Sequence, residues 1–113
     1  MGIKHQRIGS LIVKEISQMI QTEMDDPKVG FVTILDCEVT NDYSYAKVYV
    51  TFLGSGNNTE RLEALSKHAK YFRMELGRRI MIRKIPEVVF VIDATYEKGK
   101  RIDDILKDIN KKD

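Results

Sequence analysis

Cysteine, proline and long apolar runs are scarce in this sequence of 113 residues. Cys37 is the one cysteine, so no internal disulfide can form, and we expect a cytoplasmic protein. The longest apolar runs, such as residues 88–92, are strand-sized and far short of the ~20 residues that cross a bilayer. No apolar stretch follows the basic residues at the N-terminus, so we expect neither a secretory signal nor a membrane partner.

Groupings of residues that would indicate an enzyme are also missing. His5 and His68 lie far apart in the sequence, and neither is near Cys37, so no metal-ligand spacing is present. The acidic pairs 25–26 and 103–104 are adjacent residues whose side chains point apart, unlike a catalytic acid and base. We therefore expect no catalytic residues, no metal, no cofactor and no small-molecule substrate.

The composition that remains is typical of one soluble globular domain. Hydrophobic residues make up 42% of the chain and charged residues 32%, which is unlike a disordered protein. A chain of this length can form a core without disulfide or metal support. Without internal repeats or a linker, residues 1–113 are expected to form a single domain and a monomer.

Hydrophobic periodicity predicts an α+β fold with helices on one face of a three-stranded sheet. A short polar link between the first two strands favours an antiparallel hairpin. The third strand is apolar at both alternating positions, which favours a central or well-covered strand. The predicted elements are a helix at about residues 4–22, strands at 31–40 and 45–53, a helical region from 59 towards Pro86, a strand at 88–92, and a C-terminal helix through Ile102, Ile105, Leu106 and Ile109.

Alternation along the strands predicts which side chains meet the core. In the first strand, Val32 and Ile34 would lie on one side and Phe31, Leu35, Cys37 and Val39 on the other. In the second strand, alternate residues from Ala46 to Phe52 would face the core.

The helical region after residue 59 is either one long helix or two helices joined at a bend. Its apolar residues Leu62, Leu65, Ala69, Phe72, Leu76 and Ile80 recur at steps of three and four. On one unbroken helix, Arg73 would sit at the edge of that apolar stripe, so its phase favours a bend within residues 67–71. Asn58 or Thr59 is the predicted N-cap.

Basic residues are concentrated in the second half of the chain. Residues 1–66 hold six lysines and arginines against nine carboxylates, whereas residues 67–113 hold thirteen against eight. Such clustering favours a polyanionic partner, because lysine and arginine neutralise phosphates. The alternative is a module that uses its basic helix to dock an acidic protein, and composition does not separate the two. Tyr43, Tyr45, Tyr71 and Tyr96 could stack on unpaired bases or serve in packing.

Several short motifs, taken in order, resemble the bacterial ribosome-binding factor A family. The resemblance runs from about residue 7 to residue 109, and its strength lies in joint order and spacing. Its residues are Asp26-Pro27-Lys28 with Gly30, Val32-Thr33-Ile34, Asp42, Ala46-Lys47-Val48-Tyr49-Val50, Arg73, Leu76-Gly77, Arg83, Pro86-Glu87, Phe90, Asp93 and Gly99. The order of elements also looks like the type II KH domain, an RNA-binding fold.

The resemblance implies a ribosome assembly factor. Such a factor binds 16S rRNA or its precursor on the immature 30S subunit and assists late maturation and rRNA processing, most importantly in the cold. Family members typically have an Ala-x-Gly kink between the two central helices, whereas this chain has His68-Ala69-Lys70 there. We expect the RNA contacts to come from Lys67, Lys70, Arg78, Arg79, Arg83 and Lys84, with Arg73 either contacting RNA or structural, and with Lys28, Lys100 and Arg101 as an outer set.

Overall fold

The computed structural model describes residues 3–93, which form three helices and one three-stranded sheet. The predicted α+β order of elements is confirmed. The predicted C-terminal helix lies outside the described residues. Within residues 3–93, no helix has the length and apolar character needed to cross a membrane. The elements are α1 (Ile3–Thr22), β1 (Val32–Val39), β2 (Tyr45–Phe52), α2 (Asn58–Ser66), α3 (Ala69–Arg79) and β3 (Glu87–Ile92).

β2 lies in the middle of the sheet. It pairs antiparallel with β1, as the predicted hairpin requires, and parallel with β3. A parallel pair needs a crossover connection, which α2 and α3 supply. Alternate residues of β2 from Ala46 to Phe52 are buried, as predicted, and Phe72 of α3 packs edge-on against Phe90 of β3 with ring centroids 5.7 Å apart.

A β-bulge in β1 overturns the predicted division of its side chains. The pairing register shifts between Ile34 and Asp36, so one extra residue is inserted at Leu35. The insertion brings Val32 and Ile34 onto the same face as Cys37 and Val39. All four are paired across the sheet with the core residues of β2. Strict alternation therefore fails across the bulge, and Phe31 is left outside the core.

β3 is an edge strand in the part of the sheet that the structure describes, so the prediction of a central or well-covered strand is wrong there. Its register pairs it with β2 alone. Val88 and Phe90 are buried, whereas Val89 is 41% exposed. Valine is favoured in strands because its side chain fits a pleated, half-buried surface, so an apolar run need not be covered on both faces.

α1 packs directly on β1 through one apolar face. The fully buried side chains of this face include Ile12, Ile16 and Met19. Gly9 permits the close approach of helix and strand, because a Cβ at this position would lie 2.6 Å from the carbonyl oxygen of Cys37. A larger residue there would push α1 away from the sheet.

The predicted bend between α2 and α3 is confirmed, and it forms without glycine. α2 ends at Ser66 and α3 begins at Ala69, with His68 at φ −91° and ψ 0° between them. Because φ is negative, no glycine is required. His68 Nε2 lies 2.9 Å from Asp26 Oδ2, which ties the bend to the turn after α1. This hydrogen bond, with a second from the Lys28 N–H, holds the pKa of Asp26 below its ordinary value.

The boundaries of the helical region differ from those predicted. Asn57 is the N-cap of α2, and its side chain accepts a hydrogen bond from the Glu60 N–H. α3 ends at Arg79, well before Pro86, so Arg83 and Lys84 lie in the loop between α3 and β3.

Candidate nucleic-acid interface

Eight of the ten predicted contact residues lie within the described part of the chain, and all eight are exposed. The other two, Lys100 and Arg101, lie outside it. The structure distributes six of the eight over three grooves rather than one continuous strip. The remaining two, Arg78 and Arg79, project from the last turn of α3.

Lys70 and Arg73 line one groove of about 620 Å³ between α3 and the start of β3. The Arg73 guanidinium donates from Nε and Nη2 to the carbonyl oxygen of Ile85, at 3.3 and 3.1 Å. Arg73 therefore has a structural role, holding the loop before β3 against α3. Lys70 and Glu87 share the lining of this groove with the tethered guanidinium.

Arg83 and Lys84 line a second groove of about 550 Å³. Lys4, at the start of α1, joins them there, a third cation that sequence analysis did not select. Lys84 donates to the Ser44 hydroxyl at 3.3 Å, so one of its three donors is engaged. Met81, in the same lining, is 98% exposed.

Lys28 and Lys67 line the third groove, of about 730 Å³, between the turn before β1 and the loop before α2. Because these two lysines lie far apart in the sequence, the sequence analysis did not predict that they share a groove. The contact between His68 and Asp26 brings the two turns that carry these lysines together.

Arg78 and Arg79 are neighbours in sequence with opposite surroundings. The Arg78 side chain is 73% exposed and makes one long contact, 3.7 Å, to Glu75. Arg79 lies among the carboxylates of Glu15, Glu23 and Glu75, at 3.5, 2.6 and 3.2 Å. The charge of Arg79 is thus neutralised within the protein, so this residue is not expected to contact RNA.

The carboxylate of Glu23 extends that cluster to Tyr71. It accepts hydrogen bonds from the Tyr71 hydroxyl at 2.5 Å and from the Arg79 guanidinium. These two bonds lower the pKa of Glu23, with the tyrosine bond as the larger cause. The cluster joins the end of α1 to α3, so its role is structural.

Reversing the charge of Arg79 is expected to destabilise the fold. A glutamate there would place four carboxylates together, and we expect Arg79→Glu to lower the midpoint of thermal unfolding by roughly 5–10 °C. The matched control is Arg78→Glu, one residue earlier, which should shift it by about 2 °C or less because its side chain lies in solvent. Circular dichroism melts measure both, and equal shifts would contradict the assigned role of Arg79.

Arg61 is the main residue that sequence analysis missed. Its side chain is buried, 8% exposed, and donates to the carbonyl oxygens of Val29, Phe31 and Leu53 at 2.9, 3.0 and 2.9 Å. The guanidinium also lies over the Phe52 ring, 4.8 Å from its centroid. The position of Arg61 three and four residues before the buried Ala64 and Leu65 was the available indication that it faces inward.

The structure also places Cys37 and three of the four tyrosines that the sequence suggested for base stacking. Burial raises the pKa of the Cys37 thiol to about 12, so a thiolate is disfavoured. Tyr43 stacks on His5, with centroids 4.5 Å apart, and Tyr71 is bonded to Glu23. Tyr45 is half exposed, and Tyr96 lies outside the described residues. Among residues 3–93, no three His, Cys, Asp or Glu side chains are grouped as they would be to hold a metal ion.

Comparison with known sequences finds one family along nearly the whole chain. The family model described as ribosome-binding factor A matches residues 4–106. A ribosome-binding factor A from Desulforamulus reducens is 41% identical over 111 residues, covering 97% of this chain and 92% of that protein. The protein of the same name from Caldanaerobacter subterraneus subsp. tengcongensis is 44% identical over 115 residues, with 100% and 94% coverage.

Solved structures have the same fold. The crystal structure of ribosome-binding factor A from Thermus thermophilus gives a TM-score of 0.70 at 23% identity, covering 78% of this chain and 94% of that one. A homology model of the Thermus thermophilus factor, fitted into a cryo-EM map of a 30S complex, gives 0.63 at 23% identity, with 77% and 92% coverage. The solution structure of a Thermotoga maritima protein described as a putative ribosome binding factor A gives 0.62 at 28% identity, with 79% and 86% coverage.

Proposed function

The chain belongs to the ribosome-binding factor A family, and on that premise we propose that it is an assembly factor for the small ribosomal subunit. In this proposal one domain, residues 1–113, binds 16S rRNA or its precursor on the immature 30S subunit in the cytoplasm. It assists late maturation and rRNA processing, with the greatest effect in the cold, where misfolded RNA resolves slowly. In this proposal the chain acts by binding alone and catalyses no reaction.

The observation that carries the RNA-binding part is the set of outward cations on α3. Lys70 and Arg78 are exposed on this helix, and eight residues of helix separate them by about 12 Å along its axis. Within residues 3–93, Lys70 has no carboxylate within 4.0 Å, and Arg78 has only its long contact to Glu75. Exposed cations that have no close carboxylate among the described residues, or only a long contact to one, are available to neutralise phosphates.

The bend before α3 supports the same proposal. Lys67 and Lys70 flank it, and the His68–Asp26 contact holds it in place. An rRNA backbone that passes the bend would meet one lysine on each side. Such phosphate contacts position a protein without selecting sequence, so specificity is expected from RNA shape and from single-stranded segments.

Salt dependence of binding to 30S subunits tests this proposal. Three to four phosphate contacts predict that raising the salt from about 50 to 200 mM weakens binding by roughly 50- to 150-fold, because bound counterions are released. The measurement is fluorescence anisotropy of the labelled chain with purified 30S subunits, with 50S subunits as the control for non-specific RNA binding.

A loss of less than about fivefold over that range would overturn the phosphate-contact mechanism. It would favour the alternative, in which the basic helix docks an acidic protein surface through few ionic contacts. Equal affinity for 30S and 50S subunits would instead contradict the assignment to the small subunit.

A further inference from the structure

Phe31 is exposed in a way that the fold does not require. The other three phenylalanines of the sequence, at positions 52, 72 and 90, are at most 7% exposed, whereas Phe31 is 78% exposed. Its backbone is hydrogen-bonded to the residue that follows β2, because the Leu53 N–H donates to the Phe31 carbonyl oxygen at 3.0 Å. A large aromatic ring is thus presented to solvent from a fixed point at the end of the sheet.

The groove beside Phe31 has a backbone wall and a basic rim. The wall is the loop Gly54-Ser55-Gly56-Asn57, in which the two glycines have positive φ of 83° and 145°. At Gly54, a Cβ would meet nothing within 4 Å, so the loop leaves open space for a ligand to approach its backbone. Lys28 and Lys67 stand in the same lining.

A buried positive charge lies under this groove. The guanidinium of Arg61 is bonded to neutral acceptors, three backbone carbonyls and, at 3.5 Å, the Asn58 side chain. Across residues 3–93, no carboxylate lies within 4.0 Å of it. A buried cation without a counter-ion favours an anion above it. The lining also holds Glu60 and Glu63, so its cations outnumber its carboxylates three to two.

These features match the chemistry of a nucleotide. An aromatic face stacks on a base, and cations receive its phosphate. We propose that this groove, defined by Lys28, Phe31, Gly54, Arg61 and Lys67, binds one unpaired nucleotide of RNA with its base stacked on the Phe31 ring and its phosphate between the two lysines. This inference rests on the proposed function and adds a site apart from the outward cations of α3.

The absence of tryptophan from the chain permits a direct test. Phe31→Trp introduces a single tryptophan at the stacking position, and its emission can be excited apart from that of the five tyrosines. We expect a ten-nucleotide single-stranded RNA to quench its emission by roughly half, because stacking brings the base onto the indole. A duplex of the same sequence should leave the emission unchanged, since its bases are already stacked. Val89→Trp, on the exposed face of β3, is the control and should respond to neither RNA.

Affinity measurements complete the test. Phe31→Ala is expected to weaken binding of the single-stranded RNA by about 10-fold, whereas Phe31→Tyr keeps the ring and should stay within about twofold of the unmodified chain. Both substitutions are made at an exposed position, so circular dichroism should show an unchanged fold.

The outcomes separate this inference from the proposed function. If the indole is not quenched and Phe31→Ala binds RNA normally, while the unmodified chain still binds 30S subunits, the nucleotide site is refuted alone. If the unmodified chain binds neither RNA nor 30S subunits, both proposals fall. A blue shift of the indole without quenching, seen with 30S subunits but not with free RNA, would indicate burial against a surface other than a stacked base and overturn the nucleotide proposal.

Discussion

Reversing the charges of Lys70 and Arg78 together is expected to weaken binding to 30S subunits by about 100-fold or more. Each reversal removes an attraction of about 1 kcal/mol to a nearby phosphate and adds a repulsion of similar size. The two changes together approach 4 kcal/mol, and each 1.4 kcal/mol is a factor of ten in affinity. The double variant Lys70→Glu/Arg78→Glu is measured by co-sedimentation and by anisotropy at low salt.

The fold should survive this change, which makes the result interpretable. Both side chains are exposed, and the main structural cost is the loss of a cation near the C-terminus of α3, about 0.5 kcal/mol at most. The matched control is Arg7→Glu/Lys14→Glu, which makes the same charge change on one exposed face of α1. Normal binding by the folded double variant, or equal loss in the control, would show that α3 is not the contact surface.

Replacing Arg61 with methionine is expected to lower the free energy of unfolding by about 3 kcal/mol. Methionine keeps much of the side-chain volume but leaves the carbonyl groups of Val29, Phe31 and Leu53 without their donor. Each lost bond to a charged donor costs about 1.5–3 kcal/mol, partly offset because a buried charge is removed as well. Urea unfolding followed by circular dichroism measures the change.

Arg78→Met is the control for this substitution, since it removes the same functional group from a solvated site and should cost under about 0.5 kcal/mol. Arg61→Lys should fall between the two, because an ammonium keeps the charge but not the planar array of donors. If Arg61→Met were as stable as the unmodified chain, water would have to replace the guanidinium at all three carbonyls. The assigned structural role would then be wrong.

Much of the fold follows from local pattern. The apolar spacing of α1, the hairpin of β1 and β2, and the bend near His68 were all predictable, because each depends on residues close together in the chain. The phase of Arg73 indicated the bend although the family's glycine is missing, and the structure makes it with a backbone geometry that any residue can adopt.

The bulge at Leu35 was not predictable from the alternation of apolar and polar residues, and it affects the whole of β1. One inserted residue changes which side chains of β1 face the core, because the period of a strand is two. The position of β3 in the sheet was also not predictable, because an apolar run does not indicate how many strands lie beside it.

The sequence by itself determined the family, the order of elements and the excess of cations after residue 67. Only the tertiary structure decided which cations are available. Arg78 and Arg79 are indistinguishable as sequence, yet one faces solvent and the other meets Glu15 of α1 and Glu23, just after α1, more than fifty residues earlier. Charge is a local property of the sequence, but its neutralisation depends on contacts between distant segments, and those exist only once the chain has folded.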